Sequence, residues 1–326
     1  MKVAILGTGD ISKIFMSCAE VTQTEVAGVF NRHADKAADF AAAYNVPQAY
    51  GDYEQLLQET EADTIYVGLP NGLHYGYARQ ALEHGKNVLI EKPFCSNLRE
   101  FDDLCATAKE HGVMLIEMDR VTAQPNFQIL KDHLADAGKI RAVSMDFCQY
   151  SRKYDAYLQG NVGNVFTTQF SGGALMDLGV YCVHLMTALF GLPQQLIYIA
   201  DKIPTGVDIS GNLVLRYPEM VVTILVSKNS IGSKLQMIQG EKGTFKISSV
   251  PGLMDDIWFI TRHSEEKISM QQDYEGEVYT LAEMQRIIDG HDQAAADIRL
   301  AHSREVMLVL DSARRSAGIV FEADQN

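Results

Sequence analysis

The sequence predicts an α/β protein in two parts. A parallel sheet wrapped by helices fills the first third, and a mostly antiparallel sheet with a few helices follows. Three observations carry this. Short runs that are apolar throughout alternate with helical patterns up to about residue 120. Beyond that point strand-like runs follow one another with only turn signals between them. The chain has 326 residues, 47% of them hydrophobic, which is long for one core and comfortable for two.

In the first part "KVAILG", "TEVAGVFN", "DTIYVGL", "NVLIE" and "VMLIEM" read as strands, and 11–21, 34–44, 72–84 and 97–111 as helices. Strands with no polar alternation are buried on both faces, and their alternation with helices makes parallel βαβ units. The helix over 97–111 carries Leu98, Phe101, Leu104, Cys105 and Ala108 at helical spacing. Asn97 and Glu100 open it as a capping-box-like pair, and Gly112 ends it. In the second part a helix over 125–136 leads into "RAVSMDFCQYS", "QLIYIAD", "GNLVLRY", "MVVTILVS", "KLQMIQG", "TFKISS" and "DIWFITRH". Gly240-Glu241-Lys242-Gly243 reads as a hairpin and Tyr217-Pro218-Glu219 as a turn, so these strands pair antiparallel. Helices near 281–288 and 294–317 close the chain. The expected domains are 1–120 and 121–326.

A formal charge of −14 would repel nucleic-acid phosphates, so no nucleic-acid partner is expected. No apolar run is long enough to span a bilayer, and no membrane partner is expected. "MKVAILGTGD" runs straight into a strand without a signal-peptide cleavage site, which points to the cytoplasm. Cys18, Cys95, Cys105, Cys148 and Cys182 are scattered, with no C-x-x-C and no metal-ligand spacing. They read as free thiols in a reducing compartment.

"AILGTGDIS" places Gly7-x-Gly9 between the first strand and the first helix. The turn needs Gly7, and Gly9 lets the backbone approach a pyrophosphate at the helix N-terminus. Ser12 stands where a third glycine is usual, and it is small enough for close helix–strand packing. The first domain therefore reads as a dinucleotide-binding Rossmann domain. An NAD site usually carries Asp or Glu at the end of the second strand, to bind the ribose 2′-hydroxyl. This chain has Asn31-Arg32-His33 there. Arg32 suits a 2′-phosphate, with Asn31 hydrogen-bonding to it, so NADP is favoured and NAD remains possible.

Ligands of an open parallel sheet bind beyond the carboxyl ends of its strands. "VLIEKPFCSN" puts Glu91 and Lys92 at one such end. A lysine in a partly dry cleft has a lowered pKa and exchanges protons at neutral pH. Glu91 would orient or tune it, and Pro93 would fix the backbone. A surface ion pair explains the same three residues equally well. Farther on, "SGGALMDLGVYCVHLM" begins with a glycine pair and becomes helical. Asp177, Tyr181 and His184 recur at i, i+4, i+7, on one face of an otherwise apolar helix. Burying three polar groups there is costly without a purpose, and a carboxylate, a phenol and an imidazole suit substrate binding and proton transfer. A zinc site on Asp177 and His184 would lack a third ligand at recognisable spacing, so no metal is expected.

Four motifs in this order resemble the glucose–fructose oxidoreductase / inositol dehydrogenase / rhizopine-catabolism (Gfo/Idh/MocA) family over the whole length. They are Gly7-Thr8-Gly9-Asp10-Ile11, Pro70-Asn71-Gly72-Leu73-His74, Glu91-Lys92-Pro93 and Asp177-Leu178-Gly179-Val180-Tyr181-Cys182-Val183-His184. "GGALMDLGVYCVH" looks most like the dimeric dihydrodiol dehydrogenase branch. The resemblance implies a Rossmann domain followed by a large open antiparallel sheet with helices on one face. It implies cofactor contacts from Gly7, Thr8, Gly9, Asp10, Ile11, Asn31, Arg32, Leu69, Pro70, Asn71, His74, Glu91 and Lys92. It implies catalysis by Lys92 with Asp177, Tyr181 and His184, and a cis bond at Lys92–Pro93. Glu117-Met118-Asp119-Arg120 departs from that branch's Glu-Ala-Met-Trp type of sequence, so the pocket is expected to differ.

The function expected is hydride transfer between a nicotinamide and a secondary alcohol or carbonyl of a sugar, cyclitol or dihydrodiol. The alternatives are an NAD-dependent inositol or sugar dehydrogenase, and a non-catalytic cofactor-binding regulator. The strands over 211–217 and 220–227 carry apolar residues on both faces, and helices of one domain cover one face only. A homodimer through the other face is expected. The sequence leaves open whether Val222 and Ile224, or Val221 and Thr223, lie on that face.

Overall fold

The computed structural model describes residues 1–325. The chain forms two compact units, Met1–Asp119 with Glu277–Ser303, and Arg120–Gly276 with the chain from Arg304 onward.

The first unit is a six-stranded parallel sheet with helical crossovers. Its elements are β1 (Lys2–Leu6), α1 (Asp10–Thr22), β2 (Glu25–Phe30), α2 (Ala34–Tyr44), β3 (Gln48–Tyr50) and α3 (Tyr53–Glu59). Then come β4 (Thr64–Val67), α4 (His74–Glu83), β5 (Asn87–Ile90), α5 (Leu98–His111) and β6 (Leu115–Glu117). The strand order is β3-β2-β1-β4-β5-β6, so the order reverses between β1 and β4, where α/β sheets bind ligands. β4 and β6 are buried at every residue, as their unbroken apolar runs require. Asn97 Oδ1 accepts from Glu100 N at 2.9 Å, and Gly112 ends α5 in the left-handed region at φ 65°. The Glu100 carboxylate reaches back to Ser96 N at 2.9 Å, one residue earlier than in a standard capping box. Neither β3 nor α3 is visible in the sequence pattern. β3 has three residues and buries only Tyr50, and the seven-residue α3 rests on its Asp52 cap, which accepts from Gln55 N at 2.9 Å.

The second unit contains α6 (Pro125–His133), β7 (Ile140–Cys148), α7 (Tyr154–Leu158), a π-helical turn at Leu175–Gly179 and α8 (Val180–Phe190). They are followed by β8 (Gln195–Lys202), β9 (Asp208–Arg216), β10 (Val221–Ser227) and β11 (Gln236–Gly240), and then by β12 (Thr244–Ile247), β13 (Ile257–Ile260) and β14 (Glu265–Lys267). The eight strands lie in the order β14-β13-β12-β11-β7-β10-β9-β8. Every pairing is antiparallel except β7 with β10. The hairpin at Gly240–Gly243 closes with Gly240 N to Gly243 O at 2.8 Å, and the 217–219 turn with Tyr217 N to Met220 O at 3.0 Å.

The pleat decides which apolar set is core. Val222, Ile224 and Val226 are fully buried, and the π-helical turn packs on β7, β9 and β10. On the other face Val221, Leu225, Ile197 and Ile199 are 36–65% exposed. The cross-strand pairs Ile197–Val214, Val214–Thr223 and Asn212–Leu225 make that face continuous across β8, β9 and β10.

The chain closes with α9 (Gly276–Asp289) and α10 (Gln293–Ser316). α9 sends Leu281, Met284, Ile287 and Ile288 into the first unit's core, beside Val3, Ile5, Phe15 and Tyr66. The contact division therefore differs from a single cut at 120/121, because Glu277–Ser303 joins the first unit. In the second unit the buried Arg314 donates to Ile319 O at 3.1 Å and to Asp324 Oδ2 at 2.6 Å, which pins the last turn. Among the described residues no helix is long and apolar enough to cross a membrane.

Candidate active site

At the end of β1, Gly7 has φ +98°, and a Cβ there would lie 2.9 Å from Gly68 O. Only glycine fits that turn. At Gly9 a Cβ would meet nothing within 4 Å, so the space beside the first residue of α1 is open. An open approach to backbone N–H groups at a helix N-terminus fits a pyrophosphate. Ser12 is fully buried, and its Oγ would lie 3.2 Å from a Cβ on Gly68, which is the close packing the third motif position requires. Thr8 is half-buried, Asp10 is exposed and Ile11 is half-buried.

At the end of β2, Asn31 is turned inward. Its Nδ2 donates to Thr8 Oγ1 at 2.7 Å, and its Oδ1 accepts from His33 N at 3.0 Å. Asn31 thus braces the β1–α1 turn with its whole amide. Arg32 is exposed.

Leu69, Pro70 and Asn71 are half-buried after β4, and Glu91 and Lys92 are half-buried after β5. The Glu91 carboxylate accepts from Tyr66 Oη at 2.8 Å and from Lys92 N at 3.3 Å. The Tyr66 ring in turn stacks on Phe15 at 4.1 Å. Glu91 therefore ties the strand end to the sheet core. The Lys92–Pro93 bond is cis, as the family resemblance implies.

His74 is fully buried, so it braces these loops from within. Its Nε2 lies 2.8 Å from Leu69 O and its Nδ1 3.0 Å from Pro93 O. The imidazole thus joins the loop after β4 to the loop after β5. Burial pushes its pKa down, and the two carbonyl acceptors oppose that without reversing it. A neutral ring donates to one carbonyl at a time.

In the second unit α8 is buried from Val180 to Thr187, a helix covered all round. The glycine pair before it is forced by close contact. A Cβ on Gly172 would lie 2.3 Å from Val165 O, and one on Gly173, at φ +114°, 2.0 Å from Asp208 Oδ1. Asp208 Oδ2 accepts from Leu175 N at 2.7 Å and from Tyr198 Oη at 2.6 Å. Burial pushes the Asp208 carboxyl up, and these hydrogen bonds pull against it.

The even helical face expected for Asp177, Tyr181 and His184 is corrected in one respect. Asp177 lies in the π-helical turn, where the residue spacing widens, while Tyr181 and His184 lie on regular α8. Asp177 pairs with Lys228, which follows β10 and is 4% exposed. Tyr181 Oη accepts from Arg120 Nε at 3.1 Å and also from Arg120 Nη2. His184 is 1% exposed. Lys228 and Asp208 were not singled out from the sequence, and Arg120 was noted only within the Glu117–Arg120 departure. Lys228 follows a strand by one residue, as Lys92 nearly does, and Asp208 opens one. Neither placement is distinctive until its partner is known.

Residues 1–118 match the model of an oxidoreductase family with an NAD-binding Rossmann fold, and residues 128–246 match the GFO/IDH/MocA C-terminal domain. The chain is 33% identical to the scyllo-inositol 2-dehydrogenase (NADP(+)) IolU of Bacillus subtilis (strain 168), over 100% of this chain and 99% of that protein. The chain belongs to the Gfo/Idh/MocA family. It is an NAD(P)-dependent oxidoreductase acting on CH–OH groups. Another relative is a trans-1,2-dihydrobenzene-1,2-diol dehydrogenase of Xenopus tropicalis, 30% identical over 79% of this chain and 76% of that protein. In fold the chain is similar to KijD10, a 3-ketoreductase from Actinomadura kijaniata crystallised with NADP and TDP-benzene. The TM-score is 0.85, at 20% identity over 97% of both chains.

The buried His74 sets a pH dependence. Its folded pKa lies below the ordinary 6.5, so the unfolded chain takes up the proton first as pH falls. The stability contributed by the neutral ring is present above pH 6.5 and is lost as pH falls through the folded value. Urea melts between pH 6.5 and about 5 should show a shallower slope in His74→Gln than in the wild type, by up to about 1.4 kcal/mol per pH unit. Equal slopes would show that His74 does not carry this term.

Proposed function

We propose that the protein is an NADP(H)-dependent dehydrogenase that interconverts a secondary alcohol and its carbonyl on a polyol-like ring, a cyclitol, sugar or dihydrodiol. The observation that carries this is Lys92, a half-buried amine at the carboxyl end of β5, in the same sheet as the open Gly9 turn. When bound, the nicotinamide supplies hydride chemistry at its C4. Lys92 holds and polarises the reacting oxygen. Asp177, held by Lys228, hydrogen-bonds to substrate hydroxyls. Tyr181 and His184 handle the proton. The second unit, Arg120–Gly276 with the chain from Arg304 onward, binds substrate and carries the assembly surface.

Gly7, Thr8, Gly9, Asp10 and Ile11 cradle the pyrophosphate, and Leu69, Pro70, Asn71 and Glu91 border the nicotinamide half. His74 supports that border from within rather than touching the cofactor. Asn31 is committed to Thr8 and to its own turn, so Arg32 is the group left to meet a 2′-phosphate. The relative IolU carries NADP(+) in its name, which supports the same choice. Five free thiols, four of them buried, support a reducing compartment such as the cytoplasm.

The outward face of β8, β9 and β10 supports a homodimer paired sheet to sheet. It exposes Ile197, Ile199, Val221 and Leu225, and a groove of about 690 Å³ runs between Gln194, Gln195, Ile197, Val214, Arg216 and Val221.

Three measurements test this reading. Lys92→Met should lose about a hundredfold or more in turnover of a polyol and carbonyl panel while still binding cofactor. Full turnover in the folded variant would remove Lys92 from the chemistry. NADPH should bind more tightly than NADH by fluorescence titration, and Arg32→Ala should erase about 1.5–3 kcal/mol of that preference. Equal affinities in the wild type would refute the cofactor choice. Leu225→Arg combined with Ile199→Arg should convert a dimer to a folded monomer in light scattering, because both side chains face outward. A monomeric wild type at micromolar concentration would refute the dimer.

A further inference from the structure

We propose that Arg120 is the positioning residue for proton transfer at Tyr181. This rests on the reading that Tyr181 takes part in the reaction. A guanidinium has donors and no acceptor. Arg120 Nε–H and Nη2–H both point at Tyr181 Oη, so the phenol oxygen accepts from both and its two lone pairs are occupied. The phenol is left with one function toward any third group, donation of its own proton. Arg120 thereby turns an ambivalent hydroxyl into a directed acid.

The charge serves the next moment of the reaction. A reduced nicotinamide, when bound, would supply the hydride for the carbonyl carbon, and the carbonyl oxygen then needs a proton. The Tyr181 O–H bond breaks and its proton bonds to the carbonyl oxygen. The bonding pair stays on Oη, which becomes a phenolate beside the fixed positive charge. Alcohol oxidation runs the same steps backward, with the phenolate receiving the proton. A cation already in hydrogen-bond contact needs no rearrangement to stabilise that charge.

The surroundings hold the pair in place. The guanidinium carbon lies 4.8 Å from the Tyr181 ring centroid, and Phe147 packs on the same phenol at 5.6 Å between centroids. The buried Gln124 donates to Arg120 O at 2.6 Å and to Pro251 O at 3.3 Å, joining the arginine backbone to the 250–253 loop. In that loop a Cβ on Gly252 would lie 3.2 Å from the Tyr181 ring and 3.6 Å from Arg120 Nε, so glycine lets the loop lie directly against both. An arginine that merely covered a tyrosine face would not need its Nε and Nη2 on the hydroxyl.

The test uses Arg120→Met, Arg120→Lys and Tyr181→Phe in the full chain, with two independent readouts. The first needs no turnover. The tyrosine Fermi doublet, taken as the Raman difference between wild type and Tyr181→Phe, should report an acceptor phenol, and in the Arg120→Met background it should move toward the donor form. The second is kinetic. In Arg120→Met, kcat should fall about tenfold or more with KM for the cofactor unchanged, and the solvent deuterium effect on kcat should grow, because proton transfer becomes slower than hydride transfer. Added guanidinium ion should restore part of the rate, and Arg120→Lys should be intermediate. If Arg120→Met fails to fold, the same two readouts on Arg120→Lys decide. An unmoved Raman doublet overturns the proposal, as does an unmoved solvent isotope effect. A wild type with the acceptor doublet but no turnover of any alcohol or carbonyl overturns the dehydrogenase reading, and the proton-transfer role falls with it.

Discussion

The carboxylate of Asp208, buried at the first residue of β9, accepts from Leu175 N and from Tyr198 Oη. Much of the second unit's site depends on this one group. Leu175 N is among the first donors of the helical segment and would otherwise be unmatched in the interior. Removing the carboxylate would leave two buried donors unsatisfied, at about 1–3 kcal/mol each. Seating it demands that Gly173 have no side chain and that the Tyr198 ring cross Gly211, where a Cβ would lie 2.4 Å from the phenol oxygen. Two glycines and a tyrosine are thus constrained by the start of a single helix. That helical segment then carries Tyr181 and His184 into a covered interior and leaves Asp177 half-buried at its start.

Interior placement makes each polar group depend on a partner. Asp177 is matched by Lys228 and Tyr181 by Arg120. The two cations differ in kind. An ammonium is a compact point charge that holds a carboxylate, whereas a planar guanidinium directs several donors at one oxygen. The chain is strongly acidic overall, yet cations stand against the polar residues of its helix. Net charge is thus a statement about the surface and about the partners it repels, and it carries little information about a local site.

In the first unit the organising constraint is the parallel sheet. Parallel strands all end on the same edge, so β1, β2, β4 and β5 place Gly7, Asn31, Leu69 and Lys92 there without further instruction. What remains is to hold the loops in register. His74 does this between the loops after β4 and β5, Asn31 does it between the ends of β1 and β2, and Glu91 does it through Tyr66. The supporting residues are of the same types as the reacting ones, so His74, which the family resemblance gives as a cofactor contact, is separated from them only by its burial and its two carbonyl partners.

The sequence by itself determined the elements and the family. Unbroken apolar runs identify strands buried on both faces, helical spacing identifies the crossovers, and Gly7, Gly9, Glu91-Lys92-Pro93 and the Asp177–His184 segment are local motifs whose chemistry lies in adjacent residues. Elements whose stability is not local escaped it. β3 is short and mostly exposed, α3 rests on a single cap, and the π-helical turn at Asp177 shifts a spacing that looked regular; the helix near 281–288 was legible, but the distant core it joins was not. The sequence was also symmetric about β10, since Val221, Thr223 and Leu225 alternate with Val222, Ile224 and Val226, and either set suits a core. Only the tertiary structure broke that symmetry, by laying the π-helical turn against one face. It alone brought Lys228 to Asp177 and Arg120 to Tyr181, across 51 and 61 residues of chain. Pairings at such separations leave no local pattern, because what selects them is the burial of a charge that must be matched.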